Sequence, residues 1–194
     1  MTLTGNLLLN AYSMAVLAYI MVYSRMNTGK KDVAYRLFMS TVQVMFAMLL
    51  VDAFGRFDGR PGTLYEPLNR FGNFLNFILN PIVPSIWILY VIRQTGYSRK
   101  LMRLFQYLLG GLVLAQAAMT VASLRTGWYY RIGEDNIYHR GPLFAIPLLL
   151  PLVLILVAEL LVVFRRKRIA RKNLFALLFF PVLPLLSILV SAQV

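Results

Sequence analysis

Asn73, Asn76 and Asn80 recur at i, i+3 and i+7, which places three amides on one face of a helix. Amides neither attack nor transfer protons, so the chemistry they offer is hydrogen bonding to a ligand, a water or a neighbouring backbone. The stripe continues inward to Val83, Pro84 and Trp87, and Asn80 is followed directly by Pro81. Prolines remove backbone donors and clash with the preceding turn, so a kink is expected in the outer half of this segment, with carbonyls freed around it. Amides in hydrocarbon are costly unless partnered, so the stripe is expected to face the interior. One reading is a polar cavity opening to the outside, lined by Asn76, Asn80 and Trp87 and completed by Gln116. The competing reading is inter-helix hydrogen bonding, at about 0.6 kcal/mol per pair.

Two loops bring charge toward that stripe. Asp52 and Arg56 are spaced i, i+4, a geometry suited to an ion pair that fixes a helix end or clamps a polar ligand. Gly59-Arg60-Pro61-Gly62 then reads as a turn. The second loop runs from Gly127 to Pro142, with a polar turn, Gly133 to Asn136, between Tyr129-Tyr130-Arg131-Ile132 and Ile137-Tyr138-His139-Arg140. Both flanks favour extended structure, which predicts a short β-hairpin lid carrying His139 and Arg140 to the cavity rim beside Asp52 and Arg56. Trp128 and Tyr129 also suit an interfacial aromatic belt. The candidate ligand site is therefore Asp52, Arg56, Asn76, Asn80, Trp87, Gln116, His139 and Arg140.

Catalytic and metal chemistry find little support. The chain has no cysteine, so it forms no disulfide, thiol catalyst, iron–sulfur cluster or cysteine zinc site. The single His139 rules out bis-histidine haem within one chain. A His139–Asp135 couple on the lid is the one conceivable acid–base pair, so no enzymatic activity, cofactor or metal is expected.

The elements that must position these residues are long and apolar. Of 194 residues, 59% are hydrophobic and the mean hydropathy is +0.68, above an ordinary soluble domain. A bilayer core of about 30 Å needs roughly 20 apolar residues in a helix. Six segments meet that length, approximately 5–24, 37–55, 74–93, 104–124, 143–164 and 173–193. The expected fold is an all-α polytopic membrane protein of six spans forming a single transmembrane domain over 1–194. The hairpin lies between the fourth and fifth spans. The Leu- and Val-rich fifth and sixth spans are expected to face lipid more than protein. Ala11, Ala15 and Ala18 make the first span either a close-packing face or a chance run.

Charge sets the expected orientation. Every lysine falls in one of three clusters on alternate connections: Arg25, Lys30, Lys31 and Arg36; Arg93, Arg99, Lys100 and Arg103; and Arg165, Arg166, Lys167, Arg168, Arg171 and Lys172. The other connections hold six arginines with Asp52, Asp58, Glu66, Glu134 and Asp135. Cytoplasmic loops carry excess Lys and Arg, which predicts cytoplasmic basic loops and an extracytoplasmic N-terminus, without a cleavable signal peptide. The formal charge of +13 is then explained by an anionic leaflet, not by nucleic acid. Glu159, less than two turns before Arg165, is expected to snorkel or pair with the basic cluster.

Asp52 with Gly59-Arg60-Pro61-Gly62, Asn80-Pro81 and Ile137-Tyr138-His139-Arg140-Gly141-Pro142 resemble the N-terminal membrane region of bacterial GGDEF diguanylate cyclases. That region is similar to the seven-span input region of some histidine kinases. The resemblance covers nearly the whole chain. It implies a sensory input domain in the bacterial cytoplasmic (inner) membrane, a homodimer, and a small-molecule or lipid-like ligand whose signal passes to a cytoplasmic output. The sequence contains no GGDEF domain, so the expectation is either the membrane portion of a longer protein or a protein whose cytoplasmic output domain is absent. The alternative is a six-span substrate-binding subunit of a vitamin-type transporter, although that family's expected terminal topology is the opposite one.

Overall fold

The computed structural model describes residues 3–27, 32–169 and 171–179. Among them are helices α1 (Leu3–Asn27), α2 (Val33–Gly55), α3 (Tyr65–Leu79), α4 (Ile82–Gln94) and α5 (Arg99–Thr126). Strands β1 (Tyr130–Ile132) and β2 (Tyr138–Arg140) follow, then α6 (Ala145–Arg165), a 3-10 turn (Arg166–Arg168) and α7 (Arg171–Phe179). Five helical segments are long and apolar enough to cross a membrane: α1, α2, α3 with α4, α5, and α6 with its 3-10 turn. The chain is a helical membrane-spanning protein with a small hairpin. Of the expected sixth span, 173–179 lies in α7 and the remainder is outside the described residues.

The helices exceed the apolar segments because capped polar turns extend them. The Asp32 side chain accepts from Tyr35 N at 2.8 Å, and Ser98 accepts from Leu101 N at 3.2 Å. The third segment is the longest, spanning 30 residues as α3 and α4. At 1.5 Å per residue that is about 45 Å, longer than a bilayer core of about 30 Å, and its first turns receive the hairpin through Asn69 and Arg70.

α4 is the central helix. Ile88, Val91 and Ile92 are almost fully buried against Leu154, Ala158 and Val162 of α6, Leu109 of α5 and Leu177 of α7. The expectation that the fifth span faces mainly lipid therefore holds for only part of α6. Its Pro147, Pro151, Leu154, Ala158 and Val162 stripe is packed, while Leu149, Val153, Leu156 and Leu160 are exposed. Composition conceals this because a single helical stripe suffices for the contact while the rest of the helix stays exposed.

α1 is peripheral. Ala11 and Ala15 are exposed, and α1 docks on α2 through Asn10, its one buried residue among those described. The Asn10 amide donates to the Asp52 carboxylate at 2.9 Å and to the Leu49 carbonyl at 3.4 Å.

α2 and α3 approach most closely where Gly72 meets Gly55. A Cβ on Gly72 would lie 2.7 Å from Gly55 N and 2.9 Å from both Phe54 Cβ and Val51 O. A side chain at 72 would push the two backbones apart.

Candidate functional site

Prolines shape the site by leaving carbonyls without donors, and amides on neighbouring helices fill them. Between α3 and α4 the helical ladder breaks at Asn80–Pro81, although both residues keep right-handed helical dihedrals. Pro81 cannot donate to the Phe77 carbonyl, which instead accepts from Gln116 Nε2 of α5 at 3.4 Å. Pro151 likewise cannot donate to the Pro147 carbonyl of α6, which accepts from Asn80 Nδ2 at 3.0 Å. Each break is thus satisfied across a helix interface, as low dielectric surroundings require. Gln116 is committed at both ends, because its Oε1 accepts from the Tyr129 hydroxyl at 3.1 Å.

The hairpin is fixed over this region by a buried polar latch. β1 and β2 pair antiparallel with Tyr130 opposite Arg140, Arg131 opposite His139 and Ile132 opposite Tyr138. Asn136 in its turn takes a left-handed φ of 59°. Its Nδ2 donates to the carbonyls of Phe57 at 2.8 Å and Arg60 at 3.1 Å. Fully buried Asn69 of α3 donates to Asn136 Oδ1 at 3.0 Å and Asn136 O at 3.2 Å, and lies 3.3 Å from Asp58 Oδ1. Asp58 also accepts from Tyr138 N at 2.7 Å. The α2–α3 loop, α3 and the hairpin are thereby joined into one unit.

Beneath the latch is a cavity of about 360 Å³, lined by Asn73, Asn76, Phe77 and Asn80 of α3 and the helix break, Tyr138 and Arg140 of β2, and Phe144, Pro147 and Leu148 around the start of α6. The Asn73 amide is spent on Asn69, at 2.7 Å to its Oδ1, and that of Asn80 on Pro147. Asn76 has no side-chain hydrogen bond among the described residues. Three rings form the apolar part: Phe144 meets Phe77 edge-on at 6.3 Å and Tyr138 at 6.4 Å. Tyr130 backs them, stacked between Phe77 at 4.9 Å and Tyr138 at 5.6 Å.

Arg140 is the one charged residue in the lining, its guanidinium 5.0 Å from the Phe144 ring centre. The two ion pairs among the described residues are Asp52–Arg56 and Glu66–Arg70, both at 2.9 Å, so Arg140 has no carboxylate partner there. Burial pushes the Tyr138 phenol upward, with Arg140 pulling the other way. Burial likewise raises Tyr130 to about 12 despite Arg70, and raises Tyr129. The phenols are neutral near pH 7, which leaves the cavity with a single positive charge.

Of the eight candidate ligand-site residues, Asn76, Asn80 and Arg140 meet at this cavity, beside Asn73 of the same stripe. The others serve elsewhere. Asp52 and Arg56 pair with each other and hold α1 through Asn10. Trp87 is packed in the α4–α6 core, and Gln116 is buried beside Phe77 and Tyr129. His139 sits on the exposed face of the hairpin, opposite Arg131, because alternate residues of a strand point to opposite sides. Asp135 caps the turn by accepting from Ile137 N at 3.1 Å. Glu159 forms no ion pair among the described residues, and one of its carboxylate oxygens is buried without a hydrogen bond.

Sequence reasoning missed Asn69, Asp58 and Asn136, and the rings of Phe77, Tyr138 and Phe144. Asn69 was detectable, since it extends the Asn73–Asn76–Asn80 face one turn outward. Comparison with protein-family models, curated proteins and solved structures finds no match.

Proposed function

We propose that this chain is a membrane-embedded sensory input region that takes a small extracytoplasmic or membrane-borne ligand into the cavity under the hairpin. The observation that carries this reading is a 360 Å³ cavity at a broken helix, with the Asn76 amide and Arg140 guanidinium facing it uncommitted. Asn76 lies in a span-length apolar segment, where polar groups are ordinarily satisfied within the protein, and the exposed Arg140 of the hairpin converges on the same cavity, which supports a binding site. In this reading six spans cross a bacterial inner membrane, the hairpin end faces outward, and the basic loops face the cytoplasm. The resemblance to GGDEF-associated input regions adds a homodimer and a cytoplasmic output. Ligand contact with Asn76 and Phe77 bears directly on the Asn80–Pro81 break. α4 carries any change of angle there to its basic end, where Tyr97 donates to Leu161 O at 3.1 Å and lies under Arg165 at 4.5 Å.

The absence of native cysteine makes the orientation and the opening directly testable. In intact cells, Asn76→Cys should react with a membrane-impermeant maleimide, whereas Lys167→Cys should react only after permeabilisation. Labelling of Lys167→Cys from outside, or of Asn76→Cys only from the cytoplasmic side, would overturn the proposed reading.

A further inference from the structure

We propose that the cavity's ligand is an amphipathic monoanion, a carboxylate or similar head on a compact apolar body; this rests on reading the cavity as a ligand site. Arg140 supplies the charge argument. It is the single formal charge in the lining, and its only partner there is the Phe144 ring, which leaves its fork of N–H donors available. Arg140 is exposed at the mouth of the cavity, where its donor fork is open to a ligand and matches the geometry of a carboxylate. One cation balances one negative charge. A phosphate dianion would leave an unmatched charge among Asn76, Phe77 and Tyr138.

The amides narrow the head group further. Asn73 and Asn80 are already committed to Asn69 and Pro147, so Asn76 is the side-chain amide left to donate to an oxygen of the ligand. The body is set by Phe77, Tyr138, Phe144, Pro147 and Leu148, which offer ring faces and aliphatic carbon. At 360 Å³ the space lies at the lower end of small-molecule sites, about 300–1,000 Å³. A medium-chain fatty acid from the membrane and an aromatic acid from the aqueous side share the required chemistry.

The test is calorimetric binding to the full chain in zwitterionic nanodiscs, with octanoate, 3-phenylpropionate and neutral 3-phenylpropanamide as probes. At least one acid should bind saturably, and the amide at least about tenfold more weakly, from the loss of a charge-assisted hydrogen bond. Arg140→Gln should weaken the acid by about 10–100-fold and leave the amide unchanged. Octanoate binding alone identifies a membrane-derived ligand, and 3-phenylpropionate alone an aqueous aromatic one; either supports the proposal. Equal binding of acid and amide to wild type overturns the anionic class while the cavity stands as a site. That ratio needs no variant, so it decides even if Arg140→Gln fails to fold. Failure of both acids also overturns the class, and access to Asn76→Cys then judges the cavity independently.

Discussion

Asn136→Ala is expected to lower the stability of the detergent-solubilised protein by about 2–5 kcal/mol. Two costs combine. A left-handed backbone costs a non-glycine residue about 1–2 kcal/mol, and asparagine is among the few that offset this locally. The Phe57 and Arg60 carbonyls would also lose their donor, and buried Asn69 an acceptor, at about 1–3 kcal/mol. Asn136→Gly separates the two, because it keeps the backbone free to adopt φ 59° while deleting the amide. Thermal unfolding should therefore rank wild type above Asn136→Gly and Asn136→Ala lowest. Wild-type stability in the alanine variant would mean that the latch does not hold the hairpin.

Gly72→Ala is expected to destabilise by about 1–3 kcal/mol, the range for overpacking a close contact. The new methyl would meet Gly55 N at 2.7 Å and Val51 O at 2.9 Å, both backbone atoms, which cannot swing aside as a side chain does. Membrane helices gain no hydrophobic energy from leaving lipid, so lost contact between α2 and α3 is not recovered elsewhere. Gly110→Ala is the control. A Cβ at Gly110 of α5 meets nothing within 4 Å, so alanine there should stabilise by about 0.5–1 kcal/mol through helix propensity. Opposite signs for two glycines in apolar helices would be measured as opposite shifts in the unfolding midpoint. Shifts of the same sign would contradict the proposed role of Gly72.

Much of the fold was readable because it depends on local rules. Apolar length located the spanning helices, Asn80–Pro81 located the break, and the polar turn between aromatic flanks located the hairpin. The site was readable where one face carried it: Asn76 and Asn80 share a helical stripe, and Arg140 follows the hairpin. The stripe extended to Trp87 crosses the expected proline break, and beyond it Trp87 packs in the α4–α6 core. Placing both His139 and Arg140 at the rim conflicts with strand alternation, since neighbours on a strand face opposite ways. The Asn69–Asn136 bond joins residues 67 positions apart, and no periodicity in one sequence pairs them. Asp52–Arg56 was legible as a pair, but its use in docking α1 required the position of Asn10.

The proline-freed carbonyls show why polar residues inside a membrane helix are not all ligand groups. Gln116 and Asn80 complete a backbone that Pro81 and Pro151 leave unfinished. Asn76 completes nothing within the described residues, which separates it physically from amides of the same type on the same helix.

Mass spectrometry of small molecules co-purifying with the protein tests the proposed cavity most directly, comparing wild type with Asn76→Phe, whose ring occupies the space, and with Arg140→Gln. A species retained by wild type and lost from both variants, with their unfolding midpoints preserved, is the predicted result. Identical profiles in all three proteins would contradict it and leave the cavity a structural consequence of the helix break.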